Sequence, residues 1–191
     1  MSLTKKFIFV RHGSTDWNMD LLHLGFKDYQ LNLTGIKEAR NAAITISEYL
    51  KKIHAKKATL ISSNLNRAKE TAQIISDYNK LPIFYNSNLN ERYFGEHNNK
   101  LITPEEETSF DRRVATTILD ILLKKHDNLI IVSHLEVFKS IQKTLINNYL
   151  LEYIQKGQVM VFTYNNSSQW SLGSIVSIMG LLPDEDFLNQ F

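Results

Sequence analysis

Arginine and histidine residues follow three short apolar runs in this sequence. Arg11 and His12 come directly after the run FIFV. Arg67 lies shortly after ATLI, and His134 lies shortly after LIIV. Guanidinium groups bind phosphate oxygens through paired hydrogen bonds, and a neutral imidazole nitrogen is a competent nucleophile toward phosphorus. These residue types therefore indicate chemistry on a phosphate group, provided that the fold brings them together.

A fourth polar cluster, LNERYFGE at 89–96, contains Glu91 and Arg92. A carboxyl group at Glu91 would donate a proton to a leaving oxygen and later accept one from water. Nearby arginines would keep His12 neutral, and a protonated His134 would hold the phosphoryl oxygens as charge develops. Each residue taken alone has a structural explanation, such as a hydrogen-bonded histidine at a strand end. Their convergence favours a site, because unpaired buried charges are costly without an anionic ligand.

The elements that must position these residues are strands and helices in alternation. The runs at 7–10, 58–62 and 128–133 are apolar on both faces, which is typical of strands in a covered parallel sheet. Helical spacing of apolar residues follows each run, and Thr34 is the predicted N-cap of the first helix. The pattern predicts a three-layer α/β/α sandwich with a mostly parallel central sheet. Such sheets bind ligands beyond the carboxyl ends of their strands, which is where the clusters lie.

The rest of the chain is predicted to complete the same unit. Segments 158–164 and 169–173 predict a strand pair, and one more helix precedes the run at 128–133. We expect a single domain over residues 1–191, with a short cap segment at 96–109 that has little regular pattern.

Composition limits the partners of this chain. A formal net charge of +2 in 191 residues favours neither nucleic acid nor a membrane surface as a partner. No run approaches the roughly 18 apolar residues that a membrane-spanning helix needs. The sequence contains no cysteine, which excludes disulfides and thiolate chemistry and is consistent with a cytoplasmic location. The composition does not indicate the oligomeric state.

Five segments together resemble the histidine phosphatase superfamily, which includes the cofactor-dependent phosphoglycerate mutases. RHGSTDWN is similar to the family's first signature, and IIVSH is similar to the strand that delivers its second histidine. The segments occur in the family's order and cover most of residues 7–135; they are RHGSTDWN, LNLTGIKEAR, SSNLNRAKETA, LNERYFGE and IIVSH. The resemblance implies a phosphoglycerate mutase-like fold.

The resemblance also implies roles for residues at matching positions. His12 would be the nucleophile that becomes phosphohistidine, and Glu91 would be the proton donor. The phosphate pocket would be completed by Arg11, Arg67 and His134. The implied substrate-binding residues are Thr15, Asn18, Gly25 and Arg92. The family's chemistry uses no metal, and no cofactor is expected.

Three departures from the family pattern bear on the substrate. Leu135 and Glu136 follow the second histidine, where the family usually has small residues. They would narrow the pocket and repel a second anionic group, or Glu136 would point to solvent from the first helical turn. The cap segment 96–109 is shorter than the insertion of the mutases. The first motif reads Gly-Ser-Thr, where mutases usually have Gly-Glu-Ser.

The last two departures favour a small phosphomonoester phosphatase that acts through phosphohistidine on a small phosphorylated metabolite. A phosphoglycerate mutase, which returns the phosphoryl group to its substrate, is the first alternative. A module that binds a phosphorylated ligand with little turnover is the second. A metal-dependent hydrolase is disfavoured, because arginines beside the histidines would repel a divalent cation.

Overall fold

A computed structural model describes residues 5–16, 29–93, 104–124, 126–148, 150–165 and 169–174. Within these ranges no helix is both long enough and apolar enough to cross a membrane. The described residues form one six-stranded sheet with helices on both faces.

The strands are β1 (Lys6–Arg11), β2 (Thr59–Ser62), β3 (Ile83–Tyr85), β4 (Leu129–Ser133), β5 (Val159–Tyr164) and β6 (Trp170–Ser174). Their order in the sheet is β3-β2-β4-β1-β5-β6. Strands β3, β2, β4 and β1 are parallel to one another, whereas β5 pairs antiparallel with β1 and β6 pairs antiparallel with β5. The carboxyl ends of β1, β2 and β4 therefore share one edge of the sheet.

The helices are α1 (Leu33–Lys52), α2 (Asn66–Asn79), α3 (Glu107–Leu123) and α4 (Leu135–Ile146), and a single 3₁₀ turn spans Ser87–Leu89. Strand β1 explains their distribution, because its side chains alternate between the two faces. Phe7 and Phe9 pack in a core with α3 and α4. Ile8 and Val10 pack in a second core with α1 and α2. The predicted three-layer α/β/α fold is confirmed.

Two local features differ from the sequence predictions. The N-cap of α1 is Asn32, whose Oδ1 accepts a hydrogen bond from the Gly35 N–H at 2.8 Å, so the assignment to Thr34 is wrong. An asparagine two residues upstream competes for the same role, and the apolar spacing does not separate the two. Strand β3, with only three residues, is too short for its pattern to be recognised.

The predicted cap segment 96–109 is only partly described. Residues 96–103 lie outside the described residues, 104–106 precede α3, and 107–109 belong to its first turn. The predicted helix before β4 and the strand pair after α4 are both present, as α3 and as β5 with β6.

Candidate active site

Backbone hydrogen bonds join the strand ends that carry the predicted site. The His12 N–H donates to the Ser133 carbonyl at 3.0 Å, which links the ends of β1 and β4. The Ser63 N–H donates to the Val132 carbonyl at 3.0 Å, which links the ends of β2 and β4. The edge of the sheet thereby holds the first residues after each strand at fixed spacing.

The backbone after His12 packs directly on the first turn of α1. A side chain at Gly13 would overlap the carbonyl of Gly35, and one at Gly35 would overlap the Ser14 backbone. Both positions therefore require glycine. The Ser14 N–H and hydroxyl both donate to the Glu38 carboxylate, at 2.6 and 3.1 Å. These contacts fix the backbone that positions His12.

The imidazole of His12 is held in one tautomer. Its Nδ1 lies 2.8 Å from the Gly13 carbonyl, which only accepts, so Nδ1 carries the hydrogen. Nε2 therefore presents a lone pair, and it accepts a hydrogen bond from the Arg67 Nε at 3.2 Å. His12 as a whole is 3% exposed. The nitrogen that would attack a phosphorus atom is thus Nε2.

Electrostatics keep His12 neutral. Burial lowers its pKa well below the ordinary value, and the charges of Lys156 and Arg67 lower it further. A neutral imidazole is the form that acts as a nucleophile. This agrees with the effect expected from the sequence, although the sequence analysis did not identify Lys156.

His134 lies beside His12, with the ring centroids 5.0 Å apart. Its Nε2 lies 2.7 Å from the Ser63 hydroxyl, which itself donates to Oδ1 of Asn90 at 2.9 Å, so Nε2 donates. Nδ1 is buried and has no hydrogen-bond partner among the described residues. Burial, followed by the charge of Arg67, lowers the His134 pKa well below its ordinary value. The surroundings favour a neutral His134, not the protonated form considered from the sequence.

Two buried guanidinium groups flank these rings. Arg67 is 1% exposed and extends from the first turn of α2 toward His12. Arg11 is 8% exposed, donates from Nη1 to the Ile154 carbonyl at 2.6 Å, and lies 4.9 Å from the centre of the Tyr153 ring. Arg11 forms no ion pair with a carboxylate in the described part of the chain. A buried cation without a carboxylate partner is suited to binding an anion.

Glu91 follows the 3₁₀ turn and is half-buried. Burial raises the pKa of its carboxyl group, whereas the charge of Arg67 acts in the opposite direction. The carboxylate of Glu136 raises that pKa further. Glu91 therefore lies within electrostatic reach of the buried arginines, and its surroundings favour the protonated form that a proton donor needs.

A side-chain clamp that the sequence analysis missed holds the loop of Glu91. Arg113 of α3 donates through Nη1 to the carbonyls of Asn88 and Asn90, at 2.7 and 3.2 Å. Its Nε and Nη2 donate to the two oxygens of Glu105, at 2.9 and 2.7 Å. The guanidinium thus connects the residues that directly precede Glu91 to Glu105, just before α3. Neither Arg113 nor Glu105 stands near the recognised motifs, so no local signal marks them.

A third cation, Lys156, belongs to the same cluster and was also missed. It is half-buried in the segment between α4 and β5. Burial and the charge of Arg11 lower its pKa to about 7. The only signal in the sequence is that this lysine shortly precedes β5, the strand paired with β1. Recognising it requires knowledge of that pairing.

The other predicted binding residues are placed as follows. Thr15 is fully buried and forms an antiparallel bridge with Leu31. Arg92 directs its guanidinium toward the Glu105 carbonyl and the Glu107 carboxylate, at 3.3 and 3.4 Å. Asn18 and Gly25 lie outside the described residues. Substrate binding by these four residues stays a prediction.

The two unusual residues after His134 are half-buried. Leu135 packs against the core that includes α3 and α4. The Glu136 carboxylate pairs with Lys139 at 2.8 Å, yet its charge also acts on Glu91. Glu136 therefore lies at the border of the cluster and does not simply point into solvent.

No group of three or more histidine, aspartate or glutamate side chains within the described ranges is arranged to hold a metal ion. The cluster instead combines buried cations with two neutral imidazoles. This donor set is suited to an anion.

The fold and this cluster define a class of protein. The family model of the histidine phosphatase superfamily, branch 1, matches residues 7–109, and the chain belongs to that superfamily. This confirms the resemblance seen in the sequence motifs.

Individual relatives carry two kinds of name. The chain is 38% identical to the uncharacterized phosphatase PhoE of Bacillus subtilis over 87 residues, which are 46% of this chain and 42% of PhoE. It is 36% identical to a 2,3-bisphosphoglycerate-dependent phosphoglycerate mutase of Staphylococcus haemolyticus over 94 residues, 48% of this chain and 40% of the mutase. The chain thus spans about two fifths of the length of these curated relatives.

Among solved structures, the alpha-ribazole phosphatase of Shigella flexneri superposes with a TM-score of 0.73 at 22% identity. The superposition covers 90% of this chain and 96% of that one. It shows that the two share a fold.

Proposed function

We propose that this protein is a phosphomonoester phosphatase that acts through a phosphohistidine intermediate on a small phosphorylated molecule. The observation that carries the proposal is the state of His12. Its Nδ1 hydrogen is bonded to the Gly13 carbonyl, and its Nε2 lone pair faces Arg67. This is a neutral, oriented nucleophile next to a cation that binds phosphate oxygens.

In the first step, Nε2 of His12 attacks the phosphorus atom of the ester. The N–P bond forms, the bond from phosphorus to the ester oxygen breaks, and the alcohol departs with a proton from Glu91. The raised pKa of Glu91 supports this role, because the group must be protonated at the start.

In the second step, water attacks the phosphorus atom of phosphohistidine. The Glu91 carboxylate accepts a proton from that water, the N–P bond breaks, and inorganic phosphate is released. Glu91 regains its proton, and His12 returns to the neutral state, so the cycle closes without a metal or an organic cofactor.

The buried cations bind and orient the phosphoryl group through both steps. Arg11 and Arg67 supply guanidinium donors from two neighbouring elements of the fold. His134 contributes Nδ1, which has no partner among the described residues. A phosphate dianion next to that nitrogen favours its protonation, so His134 becomes a donor when the substrate binds.

The phosphoglycerate mutase alternative is favoured by the names of several relatives, including the Staphylococcus haemolyticus protein. A mutase would keep water away from phosphohistidine and return the phosphoryl group to the substrate. The short cap at 96–109 supports the phosphatase, because a small cap leaves more access for water. A binding module with little turnover is the remaining alternative. The cytoplasmic location stays a prediction from the absence of cysteine.

The test is a panel of small phosphate esters, including p-nitrophenyl phosphate, run beside a 3-phosphoglycerate mutase assay. The proposal expects release of inorganic phosphate that EDTA does not reduce. We expect His12→Ala to lower that rate by at least about 10³-fold, since it removes the nucleophile. His54→Asn is the matched control, because His54 is exposed just beyond the end of α1.

Each alternative has its own outcome in this panel. Isomerisation of phosphoglycerate that exceeds phosphate release would support the mutase. Phosphate binding without turnover of any ester would support the binding module. Loss of activity in EDTA would point to a metal-dependent reaction.

A further inference from the structure

The segment from Tyr153 to Gln158 wraps around Arg11. The Gly157 N–H donates to the Arg11 carbonyl at 3.0 Å, and the Arg11 N–H donates to the Gln158 carbonyl at 3.4 Å. Through its guanidinium group, Arg11 also donates to the Ile154 carbonyl and lies against the Tyr153 ring. Lys156 belongs to this segment, whose backbone is hydrogen-bonded to Arg11, the residue that immediately precedes His12.

The turn that carries Lys156 is fixed in place. Gly157 has a φ of +68°, and a side chain there would overlap Glu38 of α1. Only glycine combines that backbone angle with so close an approach. Lys156 is therefore held between the end of β1 and the first turns of α1.

The Lys156 ammonium has no hydrogen bond or ion pair with any residue that the structure describes. The charged and titratable groups that face it come from every element around the cluster; they are Arg11, His12, Glu38, Arg67, Glu91 and His134. The nearest carboxylates have other hydrogen-bond donors, since Glu38 accepts from Ser14 and Glu91 accepts from the Arg92 N–H. A half-buried amine with several cationic neighbours is costly to charge unless an anion joins the group.

Backbone geometry locates Lys156 relative to the nucleophile. Because the N–H of the next residue, Gly157, donates to the Arg11 carbonyl at 3.0 Å, the backbone of Lys156 lies beside the residue that precedes His12. In keeping with that position, the charge of Lys156 lowers the pKa of His12 and also that of His134. Lys156 therefore belongs to the same end of the sheet as the two imidazoles.

We propose that Lys156 binds the phosphoryl oxygens beside His12 and takes up a proton from solvent when a doubly charged anion enters the pocket. This inference rests on the proposed phosphoryl-transfer site and adds a ligand residue to it. The segment from Tyr153 to Gln158 positions the amine, and no carboxylate in the described part of the chain pairs with it, so the amine is available to the substrate.

The pH dependence follows from linkage. In the free protein the amine loses its proton as the pH rises through about 7. A bound dianion stabilises the charged form, so the pKa of Lys156 is higher in the complex. Affinity for the dianion is therefore highest below about pH 7 and falls as the pH rises, by at most about tenfold per pH unit.

Sulfate is the appropriate probe, because it remains a dianion throughout this range and is not turned over. We expect calorimetric titration of the wild-type protein with sulfate to show affinity falling about tenfold from pH 7 to pH 8.5. Lys156→Arg keeps its charge at every pH, so only the proton taken up by His134 remains, and its affinity should fall at least about threefold less than that of the wild type over the same interval. Lys156→Met should bind sulfate about 10- to 100-fold more weakly at pH 6.5, with a shallower fall at higher pH than the wild type shows.

Lys57→Met is the matched control, because Lys57 is exposed before β2 at the opposite end of the sheet. It should reproduce the wild-type profile. A flat wild-type profile would overturn the proposal, and so would a fall in Lys156→Arg as steep as that of the wild type, or wild-type affinity in Lys156→Met. If Lys156→Met does not fold, the wild-type and Lys156→Arg profiles still decide. Binding is measured without turnover, so this result is independent of whether any phosphate ester is hydrolysed.

Discussion

The two ends of the central sheet use similar residue types in opposite ways. Before β2 and β4, the Asn128 side chain donates to the Lys57 carbonyl of the neighbouring segment at 2.7 Å, and His54 is exposed. At the carboxyl ends, His12 and His134 are buried, together with two arginines. Histidine and a cation occur at both ends, but only one end removes them from water.

The comparison shows that topology, and not residue type, distinguishes a site from a polar surface. Water solvates the polar groups at the amino ends, so they need no further partner. The cations at the carboxyl ends have lost much of that solvation, and among the described residues no carboxylate pairs with Arg11 to replace it. Such an arrangement costs stability in the absence of an anion and favours binding of one.

The largest effect is expected at Glu91. Glu91→Gln removes the proton donor while it keeps the shape of the side chain, and we expect the rate to fall by about 10²–10⁴-fold. The rate of the first step should fall further with an alkyl phosphate than with p-nitrophenyl phosphate, because the leaving group of the latter needs little protonation. Steady-state rates on both esters measure this difference.

Glu136→Gln is the control for that experiment, because Glu136 has the same side chain at the border of the cluster. It should change the rate far less than Glu91→Gln does. A decrease below threefold in Glu91→Gln on both esters would remove Glu91 from the acid–base role.

The next largest effect is a loss of stability at the close backbone contact between Gly13 and Gly35, at the carboxyl end of β1. Gly13→Ala forces a methyl group onto the Gly35 carbonyl, and backbone at this contact cannot move freely. We expect the free energy of unfolding to fall by about 1–3 kcal/mol, as overpacked sites generally do. Gly173→Ala in β6, where a side chain meets no neighbouring atom, should change it by less than about 0.5 kcal/mol. Urea denaturation of both variants tests the contrast, and equal effects would contradict it.

A smaller effect on the rate is expected at Arg113, which acts only by positioning the loop that carries Glu91. Arg113→Lys loses the fork that joins Glu105 to the carbonyls of Asn88 and Asn90. We expect kcat to fall about tenfold with little change in KM, because Glu91 is displaced while the phosphate pocket remains. Arg112→Lys, on the exposed side of α3, should be silent. A change confined to KM would show that Arg113 acts on substrate binding instead.

The smallest effect is the response of stability to acid. Burial lowers the pKa values of His12 and His134, so the unfolded chain binds more protons than the folded one below about pH 6.5. Stability contributed by these neutral rings is complete above that pH and decreases as the pH falls, by at most about 1.4 kcal/mol per pH unit for each ring. Urea denaturation at pH 6.5 and 5.5 measures it, and His12→Gln should show a shallower dependence than the wild type. An unchanged slope in that variant would contradict the assignment.

Much of this organisation is visible in the sequence, for identifiable physical reasons. Strand β1 is buried on both faces, and that burial produces the apolar run that reveals it. Arg11 and His12 follow that run, and Arg67 and His134 follow the equivalent runs of β2 and β4. The topological rule for parallel sheets therefore places all four at one edge before any coordinates are known.

The residues that the sequence did not reveal act across long separations. Lys156 reaches the site only because β5 pairs antiparallel with β1, and Arg113 reaches the Glu91 loop from a different helix. Neither stands in a periodic pattern or beside a motif. The tautomer of His12 and the neutral state of His134 likewise depend on hydrogen bonds and burial that only the folded chain provides.

The central claim is that His12 carries the phosphoryl group, and trapping that group tests it most directly. Glu91→Gln should slow the attack of water more than the first step with p-nitrophenyl phosphate, so phosphoenzyme should accumulate. A rapid acid-free quench after mixing with ester labelled in its phosphoryl group, followed by peptide mapping, locates the label. The account predicts base-stable, acid-labile phosphate on His12, absent from His12→Ala. Turnover of the ester with no label on His12, or with label on another residue, would contradict it.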